Sequence, residues 1–141
     1  MSNRILIALF FGACLMTSDL RAADEKGGSG KERFFELRTY TAAEGKLDAL
    51  LSRFRDHTNT LFARHGIQII GFWVPADEPR KHNTLIYILA YPDRESREKS
   101  WKEFSNDPDW KQVVKESQKN GKLVDHVDSV YMTPTDFSPI K

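Results

Sequence analysis

The sequence predicts an α+β fold in which four strands and three helices follow one another in the order βαββααβ. Residues 34–41 alternate between two kinds of side chain, and residues 84–91 are apolar or aromatic throughout, as expected of strands. Residues 44–65 repeat their apolar side chains every three and four positions, as an amphipathic helix does. Gly66 follows that helix directly, so a helix-to-strand turn is expected there.

The first strand, residues 34–41, has two unlike faces. Side chains alternate across a strand, so Phe35, Leu37 and Thr39 share one face. The other face combines aromatic rings with one acid and one base, namely Phe34, Glu36, Arg38 and Tyr40. If Phe35 and Leu37 face the helices, the mixed face points into the interior of a barrel.

The long helix, residues 44–65, has one apolar stripe. Its members are Leu47, Leu50, Leu51, Phe54, Thr58, Leu61, Phe62 and His65. Gly66 supplies the left-handed residue that ends the helix, and basic side chains just before it suit the negative end of the helix dipole. The second strand, residues 67–74, comes next, and a polar loop with two prolines at 75–81 makes a hairpin connection.

The third strand, residues 84–91, is apolar on both sides. One side carries Leu85, Tyr87, Leu89 and Tyr91, and the other carries Ile86, Ile88 and Ala90. Strands of this kind are covered on both faces. Because one layer of helices covers a single face of the sheet, we expect a second subunit to cover the other.

Two shorter helices follow. Asp93 or Ser96 caps the first, which reaches about Asn106. Asp107 caps the second, and Pro108 fits its first position. An Asn-Gly pair at 120–121 marks its end.

The last strand is predicted over residues 123–132. One face carries Val124, His126, Asp128, Val130 and Met132, and the other carries Leu123, Val127 and Tyr131. Residues 133–139 form a tail whose two prolines forbid the interior of a regular strand.

Residues 1–23 are predicted to be a signal peptide. Arg4 gives a short positive start, and an apolar run of about 12 residues follows, too short to cross a bilayer as a helix. Small residues allow cleavage after Ala22 or Ala23. Cys14 lies in a poor match to a lipoprotein box, so a lipid-anchored product is the less favoured alternative.

Beyond this segment, residues 24–32 are a flexible polar linker and residues 33–141 are a single domain. We expect an exported protein, periplasmic or secreted, with no membrane span in its mature form. The mature chain lacks cysteine and therefore gains no stability from disulfides.

The mature charge is balanced. The full chain has 21 basic and 20 acidic residues; removal of Arg4, Arg21 and Asp19 leaves 19 of each. A nucleic-acid partner needs a basic surplus on one face, so the balance argues against one.

Five short motifs, in order along residues 34–139, resemble the NIPSNAP family. They are Glu36-Leu37-Arg38-Thr39-Tyr40, Arg64-His65-Gly66, Gly71-Phe72-Trp73, Asp107-Pro108-Asp109-Trp110 and the tail from Thr133-Pro134 to Phe137-Ser138-Pro139. The resemblance implies a ferredoxin-like unit with an antiparallel sheet that pairs with a second copy as a dimeric α/β barrel. The family as a whole has no secure reaction, so the resemblance names no substrate.

Three functions stay open at this point. The first is a homodimer that binds a small, partly apolar molecule in its barrel. The second is a cofactor-independent monooxygenase or isomerase, since the wider barrel superfamily includes such enzymes, although fold alone carries little functional weight. The third is a protein-interaction module.

Arg38 and Tyr40 are the first candidates for chemistry, as ligand-binding and as catalytic residues. An arginine can hold a carboxylate or an enolate oxygen bidentately, and a tyrosine can donate a hydrogen bond or a proton. The alternative is structural, with Arg38 paired to a carboxylate such as Glu36.

Histidines supply the other catalytic candidates. His126 shares a strand face with Asp128, but positions two apart on a strand stand about 6 to 7 Å apart and do not bond without leaning. His57 lies at the edge of the helical stripe, whereas His65 is expected to serve the helix end and His82 to be exposed.

Aromatic rings give the remaining ligand-binding candidates. Trp73, Tyr87 and Tyr91, with Trp101 and Trp110, suit either a ring-lined cavity or a core and interface. We expect no metal and no cofactor, because the histidines are scattered and no phosphate-binding glycine loop occurs.

Overall fold

The computed structural model describes residues 32–141, so the predicted signal peptide and nearly all of the linker lie outside the described residues. The elements are β1 (Phe34–Ala42), α1 (Leu47–Arg53), a π-helical turn (Phe54–Thr58), α2 (Asn59–Arg64), β2 (Gln68–Trp73), a 3₁₀ turn (Arg80–His82), β3 (Thr84–Tyr91), α3 (Arg94–Asn106), α4 (Pro108–Ser117) and β4 (Val124–Met132). The predicted α+β order is confirmed.

The four strands form one antiparallel sheet in the order β2-β3-β1-β4. The central strands are β1 and β3, and Arg38 lies opposite Tyr87 in their register. On the other side of β1, Arg38 lies opposite Ser129 of the edge strand β4. This arrangement puts the middle of β1 at the centre of the sheet.

The predicted long helix is present, but it starts later than predicted. Gly45 has a φ of +66°, and the Lys46 amide closes a turn on the Ala43 carbonyl at 2.9 Å, so the helix begins at Leu47 rather than at residue 44. At its other end, Gly66 has the expected left-handed conformation with φ +69°.

The caps of the later helices are as predicted. The Asp93 carboxylate accepts from the Ser96 amide at 2.8 Å, and Asp107 accepts from the Asp109 amide at 2.7 Å. Pro108 begins α4, where a missing N–H costs nothing. The helix ends at Ser117, three residues before the predicted Asn-Gly stop.

All helices pack on one face of the sheet. The Tyr87 ring of β3 lies 5.2 Å from the Phe54 ring and 6.4 Å from the Phe62 ring. On β1, Glu36 bonds to Arg97 and Trp101 of α3. The core therefore lies between the helices and the residues of β1 and β3 that share a face with Glu36 and Tyr87.

This packing settles the orientation of β1, which the sequence left as a condition. Glu36, Arg38 and Tyr40 face the helices, while Phe35 and Leu37 lie on the open face. The reason is that α3 supplies polar partners for the charged side chains, a match between distant segments that alternation along β1 does not reveal. The open face consequently carries aliphatic side chains, among them Leu37, Ile86, Ile88 and Val130.

No helix within residues 32–141 is long and apolar enough to cross a membrane.

Candidate functional site

A buried ionic cluster lies between β1 and α3. Glu36 has no exposed side-chain surface, and Arg97 binds both of its carboxylate oxygens, from Nε and Nη2, at 2.9 Å each. Arg38 donates to Glu36 Oε1 at 2.6 Å. The cluster thus holds one carboxylate between two guanidinium groups, and such charge-assisted bonds are strong.

Aromatic groups complete the shell of this cluster. The Trp101 indole N–H lies 2.7 Å from the Tyr91 hydroxyl and 3.2 Å from Glu36 Oε2. Arg38 donates from Nε to the Tyr87 hydroxyl at 3.0 Å, and its guanidinium lies 4.4 Å from the Trp101 ring centroid. The charged side chains of the cluster therefore find their hydrogen-bond and cation–π partners within the domain.

The electrostatics of the cluster keep Glu36 ionised and the two buried tyrosines neutral. Burial opposes ionisation of Glu36, but the hydrogen bond from Arg97 and the charge of Arg38 outweigh it and lower its pKa. Burial raises the pKa of Tyr87 well above its ordinary value, and burial with the nearby Glu36 charge raises the pKa of Tyr91. Both phenols consequently stay neutral, and neither is poised to act as a base near neutral pH.

Arg38 and Tyr40 therefore lie in the helix-facing core, and the condition for a position in a barrel interior, that Phe35 and Leu37 face the helices, is not met. The structural alternative, an Arg38–Glu36 pair, is what the structure contains. Tyr40 contacts the rings of Phe54 and Tyr87 and accepts a 3.3 Å bond from Arg38. The catalytic and ligand-binding roles of Arg38 and Tyr40 stay predictions.

The other predicted ring residues divide between core and surface. Tyr87 and Tyr91 are fully buried, with 0% and 1% exposure. Trp73 lies on the open face, 50% exposed, and its ring crosses Gly71 so closely that an added Cβ there would lie 2.7 Å from the ring edge. Trp73 is therefore the one ring of these three that can meet a ligand or a second chain without rearrangement.

The histidines do not converge on one site. His126 lies 3.0 Å from Asp128 on the exposed edge strand, so the side chains lean together more than the strand spacing predicted. His57 is exposed on the π-helical turn, and His82, also exposed, lies 3.0 Å from Glu78. His65 does more than serve the helix end, because its Nε2 lies 2.7 Å from Asp107 Oδ2.

A cavity of about 290 Å³ lies on the open face, between the sheet and the C-terminal tail. Its lining is mostly apolar and consists of Phe35, Ile70, Ile88, Met132, Thr133, Pro134, Thr135, Ser138 and Ile140. Sequence reasoning used the tail as a family motif and missed this cavity. The apolar Ile140 after the second proline was the available signal.

Within residues 32–141, no cluster of three or more histidine or acidic side chains has the spacing to hold a metal ion.

A sheet with helices on one face and an apolar opposite face defines a ferredoxin-like α+β protein. The NIPSNAP family profile matches residues 35–139, and the chain belongs to that family. The predicted resemblance is thereby confirmed. A comparison with functionally curated proteins gives no match.

Solved structures show the same fold. A NIPSNAP family protein of unknown function from Agrobacterium tumefaciens is 21% identical, with 79% of this chain and 96% of that chain covered and a TM-score of 0.68. A NIPSNAP-like domain protein from Burkholderia xenovorans is 17% identical, with 77% and 90% covered and a TM-score of 0.66. SnoaB, a cofactor-independent oxygenase from Streptomyces nogalater, is 15% identical, with 77% and 98% covered and a TM-score of 0.51. At these identities the likeness concerns the fold alone.

Proposed function

We propose that this protein is a homodimer that binds a small, partly apolar molecule at the open face of its sheet. The observation that carries the proposal is the apolar open face with the cavity under its C-terminal tail. Val130 is 52% exposed there and Trp73 50%. A second copy that covers this face would bury both Val130 and Trp73, and it would also close the open side of the cavity.

The size and lining of the cavity favour a small ligand with little charge. Its volume of about 290 Å³ is at the lower end of small-molecule sites, which span roughly 300–1,000 Å³. Phe35, Ile70, Ile88 and Met132 form the floor, whereas the polar atoms come from the tail, at Thr133, Thr135 and Ser138. Such a lining selects an apolar body with one or two hydrogen-bonding groups.

The enzymatic alternative receives less support from the geometry. SnoaB is a cofactor-independent oxygenase, and an analogous reaction here would use Arg38 and Tyr40. The Arg38 guanidinium already bonds to Glu36, Tyr87 and Tyr40, and it is covered by Trp101. A substrate would have to displace these partners before it could bind to Arg38.

Export is part of the proposal. The apolar run after Arg4 and the small residues at 22–23 support removal of residues 1–23 on the way to the periplasm or the medium. The linker at 24–32 then precedes the domain. N-terminal sequencing of the protein from a periplasmic fraction should begin at Ala23 or Asp24, and an intact Met1 there would contradict the assignment.

Adjacent residues on β4 allow a matched test of the dimer. Val130 lies opposite Leu37 on the open face, while Ser129 lies opposite Arg38 on the helix-facing side. Val130 and Ser129 are both exposed. Val130→Asp should convert a dimer of residues 24–141 to a monomer in light scattering, and Ser129→Asp should leave the dimer intact. A wild-type monomer at micromolar concentration, or equal behaviour of the two variants, would contradict the dimer.

The ligand is tested separately by native mass spectrometry and by a neutral apolar dye, N-phenyl-1-naphthylamine. Wild-type protein should retain a small molecule or bind the dye, and Ile88→Trp, which fills the cavity, should abolish both while the mass of two chains persists. Absence of retained mass together with absence of dye binding to the wild type would refute the ligand.

A further inference from the structure

Arg53 is a buried arginine whose Nε–H donor has no acceptor among residues 32–141. The residue is 8% exposed, and its Nε is buried without a hydrogen-bond partner. The guanidinium lies 5.4 Å from the Trp110 ring centroid and within electrostatic range of the Tyr40 and Tyr87 hydroxyls. Buried arginines are ordinarily paired, so a buried Nε–H donor without an acceptor, on a side chain that lines a groove, indicates room for an anion.

The helix changes its geometry directly after Arg53. The helix widens immediately after it, because the Asn59 amide bonds to the Phe54 carbonyl five residues earlier. Thr58 donates its hydroxyl to the Arg53 carbonyl at 3.2 Å and satisfies that oxygen within the wider turn. Single π-helical turns of this kind occur frequently at functional sites. The predicted apolar stripe did not include Arg53, because an arginine is ordinarily exposed.

Arg53 lines a groove of about 510 Å³ between the first helical segment and α4. Ala49 and Val113 contribute apolar surface to it, whereas Ser52, His57 and Gln112 contribute polar groups. Trp110 stacks near the guanidinium at the start of α4. The groove thus combines a buried fixed cation with an apolar wall and with rim side chains that can donate hydrogen bonds.

We propose that this groove binds a small organic monocarboxylate, with the carboxylate on the Arg53 guanidinium and the apolar body against Ala49 and Val113. Guanidinium and carboxylate match in plane and in donor spacing. Two acidic side chains, Asp56 and Glu116, line the same groove, and Glu116 also bonds to Gln112 and pairs with Lys119. Their charge disfavours a dianion such as phosphate and leaves a singly charged ligand as the better match.

This site is separate from the open-face cavity of the proposed function. The groove lies between helices, on the side of the sheet opposite the cavity, and none of its lining residues is shared with that cavity. Ile88→Trp should therefore abolish binding of the neutral dye and leave carboxylate binding unchanged. The proposal for one site can therefore be refuted while the proposal for the other site stands.

The experiment titrates residues 24–141 with benzoate at constant ionic strength, followed by calorimetry and by the NMR resonance of the Arg53 Nε–H group. We compare Arg53→Met with Arg55→Met, which makes the same change of charge at an exposed position two residues away. Benzoate should bind saturably to the wild type and to Arg55→Met. Binding should be weakened about tenfold or more in Arg53→Met, because charge-assisted hydrogen bonds are lost.

Arg53→Lys keeps the charge but loses the planar fork, and it provides a second variant if Arg53→Met does not fold. It should weaken benzoate binding while phosphate stays a poor ligand throughout. Without ligand, Arg53→Met should be at least as stable as the wild type, because an unpaired buried charge is removed. The proposal is overturned if the wild type shows no saturable benzoate binding, if the Arg53 Nε–H resonance does not move, if Arg53→Met and Arg55→Met bind equally, or if phosphate and chloride compete as well as benzoate.

Discussion

Glu36 and Arg97, 61 positions apart in the chain, form a bidentate ion pair with both bonds at 2.9 Å and no exposed carboxylate surface. The pair joins the central strand β1 to the first turns of α3. Because Arg38 also binds this carboxylate, the charge at position 36 holds two arginines in place. The fold therefore depends on one acidic side chain whose side of the sheet the alternation along β1 did not decide.

Replacement of Glu36 should be severely destabilising. Glu36→Gln leaves Arg38 and Arg97 without their shared charge, and loss of one partner of a buried pair costs about 3–5 kcal/mol. Urea unfolding followed by circular dichroism measures the free energy of unfolding. Glu98→Gln is the matched control, because Glu98 pairs with the same Arg97 at 3.3 Å but is exposed. A similar small loss in both variants would show that Glu36 contributes no more than a surface pair.

The two tyrosine hydroxyls that bond to Arg38 should contribute unequally to the free energy of unfolding. Tyr87 is fully buried and accepts at 3.0 Å, whereas Tyr40 accepts at 3.3 Å and is half-buried. Tyr87→Phe should lower the free energy of unfolding by about 1–2 kcal/mol, since it leaves a charged donor short of an acceptor, and Tyr40→Phe by less than about 1 kcal/mol. Thermal unfolding of the two variants in parallel tests the order, and a larger loss for Tyr40→Phe would reverse it.

Asp107 should contribute acid sensitivity. The hydrogen bond with His65 lowers the pKa of Asp107 to about 2, with help from the Asp109 and Trp110 amides and the Arg64 charge, against a smaller opposing effect of burial. An unfolded aspartate titrates near 3.9, so the unfolded state binds more protons in the interval between the two values. The stabilisation is therefore fully present above about pH 5 and is lost as the pH falls toward about 2.

The measurement for Asp107 is the urea midpoint as a function of pH. Asp107→Asn keeps a good helix cap but removes the charge, so its deficit relative to the wild type should shrink between about pH 5 and pH 2. Asp109→Asn serves as the control, since that side chain is exposed and pairs with Arg64 alone. A deficit that is constant with pH would assign the role of Asp107 to capping only.

Gly71 and Trp73 should be coupled. A Cβ at position 71 would lie 2.7 Å from the Trp73 ring, which is exposed and can rotate away. Gly71→Ala should therefore shift the tryptophan fluorescence with a loss of stability below about 1 kcal/mol, because a side chain rather than backbone moves. In a Trp73→Leu background the same change at position 71 should cost less, and an equal cost in both backgrounds would exclude the ring contact as its cause.

The sequence determined the order of the elements, their approximate ends and the family, because these depend on local signals. A run of apolar and aromatic residues marked β3 over residues 84–91, Asp93 and Asp107 capped their helices as predicted, and Gly66 ended α2. Each of these signals acts on the backbone within a few residues of its own position.

Only the tertiary structure decided which face of β1 meets the helices. Alternation separates Phe35 from Glu36 but is symmetric between the two sides of a sheet, and the choice came from Arg97 and Trp101 on α3. The same holds for Arg53, whose burial depends on the packing of α4 against it, and for the cavity that the C-terminal tail forms over Phe35. These features arise from contacts between segments distant in the chain, and the periodicity of a single segment contains no information about its partners.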